Sequence, residues 1–257
     1  MFDRLEKPFL TVETGEAYQP IRMMYDVLEP NGLIDALNNL QCITKNPTAN
    51  SWTWYWKGEC DDVHFESLDS YRKSPTQPVR LGTISLRHNR LYLNLPSFKR
   101  ACLAAPFFHK NIAAGLIRVH IADFINKVFA LDERLPHGFT EMFKDEELDR
   151  IIRERIEDYH KVKERCEMAD TAEEALDMLS NFAQTEAKKR LPYAERYAFQ
   201  LDGEDTEVVF LAFYIFLRSR ELVAIRRWYG QAGYSLSDAA DETVDDVFGA
   251  MGLDILE

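Results

Sequence analysis

The spacing of apolar residues changes period several times along the chain. From Ser51 to Trp56 it alternates strictly, with Trp52, Trp54 and Trp56 on one side, which predicts a strand with one buried face. Lys57-Gly58-Glu59 predicts a turn, and Val63 and Phe65, alternating with Asp62, His64 and Glu66, predict a return strand. The polar stretch from Ser70 to Gln77, near Pro75 and Pro78, predicts a loop. Val79 to Leu86 and Leu91 to Leu95 then predict a hairpin, because Asn89 in the intervening Arg87-His-Asn-Arg90 tolerates the left-handed backbone of a tight turn. Pro96-Ser97 marks the strand exit and an N-cap. A helix follows through Phe98, Ala101, Cys102 and Ala105, kinked or restarted at Pro106. Ile117, Val119 and Ile121 alternate with Arg118 and His120 and predict one more strand, with helix from Ala122 to Leu131.

Elsewhere the helical period dominates. Ile21, Met24 and Leu28 share one helical face. After the break at Pro30-Asn31-Gly32, Asn31 is placed to cap a short helix bearing Leu33, Ile34, Leu37 and Leu40. Asp145 to Met168 carries a stripe of Leu148, Ile152, Ile156, Tyr159 and Cys166, supported by Glu146/Arg150, Asp149/Arg153 and Glu157/Lys161 with the acid first. Thr171-Ala-Glu-Glu174 is a capping box opening a helix to about Lys189. Asp202-Gly203 predicts a turn. Glu204 to Tyr229 predicts a long, largely buried helix, with a strand over Val208–Ile215 as the alternative. Ser237 to Ala250 predicts a short acidic helix behind a serine cap. The sum is an α+β fold: an antiparallel sheet of four to five strands between Ser51 and Ile121, packed on helices, then a mostly helical C-terminal half. The expected division is an α+β region over 1–131 and a mainly helical, acidic region over 132–257, in one continuous domain or two.

An apolar content of 46% supplies a proper core. No long apolar run follows the N-terminus. The most apolar stretch, Val208 to Leu217, rises only about 15 Å as a helix against roughly 30 Å of hydrocarbon, so no secretory leader and no membrane partner are expected. Cys42, Cys60, Cys102 and Cys166 lack the spacing of a paired-cysteine zinc site and read as reduced thiols of a cytoplasmic protein. His109 and His120, eleven residues apart, lack metal-ligand spacing. The sequence holds no GxGxxG, no GKS or GKT loop, and no GxSxG around Ser97, Ser219 or Ser237. No metal and no cofactor are expected.

Charge carries the functional expectation. The net charge is −12, yet between Ser70 and Ala122 there is no Asp or Glu, while Arg72, Lys73, Arg80, Arg87, Arg90, Lys99, Arg100, Lys110 and Arg118 fall there together with His88, His109 and His120. From Trp228 onward the chain holds acids and no Lys or Arg. Such a segment attracts carboxylates or phosphates, and the planar fork of Arg suits both. The candidate partner- or phosphate-binding residues are therefore Arg80, Arg87, Arg90, Lys99, Arg100, Lys110 and Arg118. The partner is an acidic protein or the chain's own acidic region. The alternative is nucleic acid, with Tyr92 or the tryptophan strand stacking on bases, although a pI near 5 is not the signature of a basic nucleic-acid module. An enzyme acting on phosphorylated or carboxylated small molecules comes third. The alternating tryptophans read as a core face. Arg218, Arg220, Arg226 and Arg227, a second basic cluster beside Trp228 and Tyr229, are expected to pair with nearby acids. The chain as a whole reads as a non-enzymatic binding or regulatory protein.

Overall fold

Alternation of large apolar side chains organises the molecule around one antiparallel sheet. The computed structural model describes residues 8–60, 63, 78–136, 138–201 and 205–250. Among these residues the strands are β1 (Ile21–Val27), β2 (Ile43–Lys45), β3 (Ser51–Tyr55), β4 (Arg80–Arg87), β5 (Arg90–Leu95), β6 (Ile117–Ile125) and β7 (Ala194–Ala198), in the spatial order β2-β3-β4-β5-β1-β6-β7. The fold is α+β, and the sheet is larger than the four to five strands expected. The predicted return strand through Val63 and Phe65, the loop from Ser70 to Gln77 and the Asp202-Gly203 turn lie wholly or almost wholly outside the described residues.

Ile21, Met23 and Tyr25 of β1 lie opposite Leu95, Leu93 and Leu91 of β5, and level with Phe124, Ala122 and Val119 of β6. This face is dry because two helices cover it: α2 (Phe98–Asn111) and α6 (Thr206–Trp228), which contributes Phe213 and Leu217 to the same core. The short α1 (Pro30–Asn39) adds Leu33 and Leu37. Trp52 and Trp54 are core residues, and Trp54 packs 5.2 Å from each of the Phe107 and Phe108 rings. Opposite Trp54 lies Gly82, where a Cβ would come within 2.6 Å of the Leu95 side chain and 2.9 Å of the Asn94 carbonyl oxygen, so only glycine fits.

Ile21–Leu28 is not a helix: Ile21–Val27 is the inner strand β1, and Leu28 is exposed. Both periods fit so short a segment, and pairing on both sides by β5 and β6 selects the strand. Ala122–Leu131 is likewise not a helix, because β6 continues to Ile125 as the partner of β7. The cap of α1 is Glu29, whose carboxylate accepts from the backbone N–H groups of Asn31 and Gly32, rather than Asn31. The hairpin turn is as expected, with His88 and Asn89 at φ of 48° and 57°. Ser97 caps α2 by accepting from the Arg100 N–H at 3.3 Å.

The second half holds α3 (Phe139–Met142), α4 (Asp145–Glu167), α5 (Ala172–Lys188) and α7 (Leu236–Ala250), besides β7 and α6. The capping box at Thr171 forms, with Thr171 accepting from the Glu174 N–H and Glu174 accepting from the Asp170 N–H. The cap of α7 is Ser235, which exchanges hydrogen bonds with Asp238. Leu148 of the α4 stripe is buried, whereas Ile156 and Tyr159 are exposed. No helix among the described residues is long and apolar enough to cross a membrane.

A carboxylate closes the turn between α1 and β2. Glu59 accepts from the backbone N–H groups of Gln41 at 3.0 Å and Cys42 at 2.9 Å. Partial burial pushes its pKa up, but the two N–H bonds outweigh this and hold it below the ordinary 4.5. A depressed folded pKa adds stability above the unfolded value that is lost as pH falls through the folded one. Glu59→Gln is therefore expected to cost roughly 1 kcal/mol at pH 7. Its melting-temperature deficit should shrink steadily below pH 4.5, checked by thermal melts of parent and variant across pH.

Candidate functional site

Strand register decides which of the predicted cations meet. Arg87 and Arg90 lie directly opposite one another and close the turn of the β4–β5 hairpin. Arg90 lies opposite Asp26 on β1, and Asp26 lies opposite Arg118 on β6. Directly opposed residues share a face, so Arg87, Arg90, Asp26 and Arg118 form one row across four adjacent strands. That row is on the face away from α2 and α6. The Arg90 Nε approaches Asp26 at 3.8 Å, with both side chains about half exposed at 51% and 43%. His120 is the extra residue of a bulge in the β1–β6 pairing and brings its Nδ1 to 3.9 Å from the same carboxylate. Arg87 and Arg90 are like charges placed opposite one another and repel, and Asp26 lies in register between Arg90 and Arg118.

Lys110 is exposed in the last turn of α2. Because α2 leaves the sheet at the Leu95 end and returns along it until Phe108 meets Tyr25, Lys110 and His109 lie at the same end as the arginine row, on the helical layer. His109 is turned toward Phe210, 5.5 Å between rings. Arg80 and Lys99 are at the other end: Arg80 begins β4 opposite Tyr55, and Lys99 is in the first turn of α2. Arg72 and Lys73 lie outside the described residues.

Arg100 is not on the surface at all. It is 0% exposed, and its guanidinium donates to the Arg80 and Leu81 carbonyls at 2.7 and 3.2 Å and to the Thr14 hydroxyl at 2.9 Å. Glu13 and Glu16 each approach it at 3.4 Å. Burial lowers its pKa, and the two carboxylates oppose that shift. The cause is local: Leu81 is the extra residue of a bulge in β4, beyond the last residue paired with β5, and Arg100 supplies donors there. Among the described residues the basic segment thus divides into an exposed group at one end of the sheet (Arg87, Arg90, Arg118 and Lys110), two outlying residues, and one structural arginine.

A helical reading of Ile21–Leu28 hides Asp26, which the strand β1 places in this group. The alternation Ile21, Met23, Tyr25 is the signal that places it on the open face. The second basic cluster is largely paired, Arg218 with Glu221, Arg220 with Glu195 and Arg226 with Glu242, while Arg227 donates to the Tyr234 carbonyl. The acids at the start of α4 that reach the sheet, Asp145 and Asp149, engage Arg196 on β7. The four cysteines are free thiols, with Cys42 and Cys60 packed in the core. No group of three His, Cys, Asp or Glu side chains among the described residues is placed to hold a metal ion.

Comparison of the chain with protein-family models, with curated proteins and with solved structures finds no match.

Proposed function

We propose that the chain is a non-enzymatic binding protein that uses the Arg87–Arg90–Arg118 end of its sheet to contact an acidic protein partner. The observation carrying this reading is the cross-strand row itself, in which Arg87, Arg90 and Arg118 lie in register with Asp26 on the face that α2 and α6 leave uncovered. Planar guanidiniums on neighbouring strands suit bidentate capture of Asp and Glu side chains. Exposed charges of this kind raise association rate and select partners more than they add affinity.

Nucleic acid is the second reading. It draws on Tyr92, which follows Arg90 by one step on the same face and is half-buried there, next to Ser85 across the hairpin. The net charge of −12 weighs against it.

The charge reversal Arg87→Glu with Arg90→Glu separates these readings. With tagged full-length protein, the reversal is expected to release the acidic protein that the parent retains, and retention unchanged by reversal overturns the proposal. A salt-sensitive gel shift of single-stranded RNA by the parent, abolished by the reversal, replaces the acidic-protein reading with the nucleic-acid one. A loss of thermal stability with no change in any binding assigns the row to the fold alone.

A further inference from the structure

Away from the arginine row, the loop after β6, the approach to β7 and the last two turns of α6 enclose a cleft of about 480 Å³. That volume falls within the usual range of small-molecule sites. Its charged lining is entirely cationic: Lys127, Arg190 and Arg227. Lys127 is paired with Glu133, and Arg227 spends its Nε on the Tyr234 carbonyl at 3.1 Å. Neither Arg190 nor Arg227 has a carboxylate partner among the described residues, in contrast to Arg218, Arg220 and Arg226 a few residues away. In a chain of net charge −12 this is a local inversion of sign.

Two large aromatic side chains, Tyr193 and Trp228, line the same cleft, and Tyr193 is 44% exposed. Asn126 completes the wall. It is only 7% exposed, and its Nδ2 donates to the Pro192 carbonyl at 3.0 Å and to Glu195 at 2.6 Å. Those two acceptors fix which way the amide points, so Oδ1 is the end left buried with no donor.

We infer that this cleft binds a mononucleotide. Its phosphate is held by Arg190 and Arg227, and its base lies against Tyr193 and Trp228. Guanidinium forks match phosphate oxygens, and aromatic faces suit a planar ring. Inorganic phosphate and a bare nucleoside each satisfy one half of the site.

Isothermal titration calorimetry of the full chain with adenosine 5′-, guanosine 5′-, cytidine 5′- and uridine 5′-monophosphate, adenosine and inorganic phosphate tests the inference. At least one monophosphate is expected to bind saturably, with adenosine and phosphate weaker by about tenfold or more, equivalent to about 1.4 kcal/mol. Arg190→Glu, at an exposed residue, and Arg227→Gln should each weaken that binding about tenfold while the melting temperature of Arg190→Glu stays at the parent value. Absence of saturable binding by every monophosphate up to about 1 mM overturns the inference, as does binding unchanged in both variants.

Discussion

Arg100→Ala is expected to destabilise the protein by about 3–5 kcal/mol, the range for removing one member of a buried charge group. The guanidinium holds three separate pieces together. It donates to two carbonyls beside the β4 bulge, to Thr14 in the N-terminal segment, and it faces Glu13 and Glu16, all from the first turn of α2. Glu13 is well exposed and loses little, but the Glu16 side chain is 7% exposed and already has one oxygen without a donor. Alanine leaves that carboxylate buried without its cation and leaves the Arg80 and Leu81 carbonyls without this donor. Arg100→Lys keeps the charge but not the fork, so it should recover only part of the loss. Urea unfolding of both variants measures this, and a cost under about 1 kcal/mol for alanine would show that the network is not structural.

A comparable loss, about 3–5 kcal/mol, is expected for either Glu195→Ala or Arg220→Ala. Glu195 is on the core face of β7, opposite Phe124, and is 1% exposed. Its carboxylate receives Arg220 Nε at 2.8 Å, Arg220 Nη2 at 3.3 Å and the Asn126 amide at 2.6 Å. The Arg220 guanidinium lies 3.4 Å from the centroid of the Phe216 ring and donates to the Phe216 carbonyl, so this group joins β7 to α6. Either single change leaves the other charge largely buried without its ion-pair partner. Replacing both at once, as Glu195→Leu with Arg220→Leu, removes both charges and should cost clearly less than the two single changes added together. Additive costs in the double-mutant cycle would mean that the two residues act independently.

The sequence made the central hairpin and the helices of the second half legible because their signals are local. The β4–β5 turn depends on a residue that accepts positive φ, α5 on a capping box, and β3 on alternating tryptophans that have to be buried. What it hid was decided by distant pairing. The β1 segment carries apolar residues that fit either period, and only its position between β5 and β6 makes it a strand. The short edge strands β2 and β7 present too few residues for a period to emerge. For the site, the absence of acids from 70–122 marked out the cations but not their depth. Arg100 and Arg87 look alike in sequence, yet one lies beneath a bulge and the other at an open turn. The Lys127–Arg190–Arg227 cleft joins residues from three distant segments and leaves no local trace.

The partner surface is tested most directly by placing a photo-crosslinking amino acid at residue 88, the exposed turn between Arg87 and Arg90, in cells that make the protein. The account predicts a discrete adduct to an acidic segment of another protein that disappears with Arg87→Glu/Arg90→Glu and does not form from a crosslinker at Leu176 on α5. An adduct that survives the reversal, or the absence of any protein adduct specific to residue 88, would contradict it.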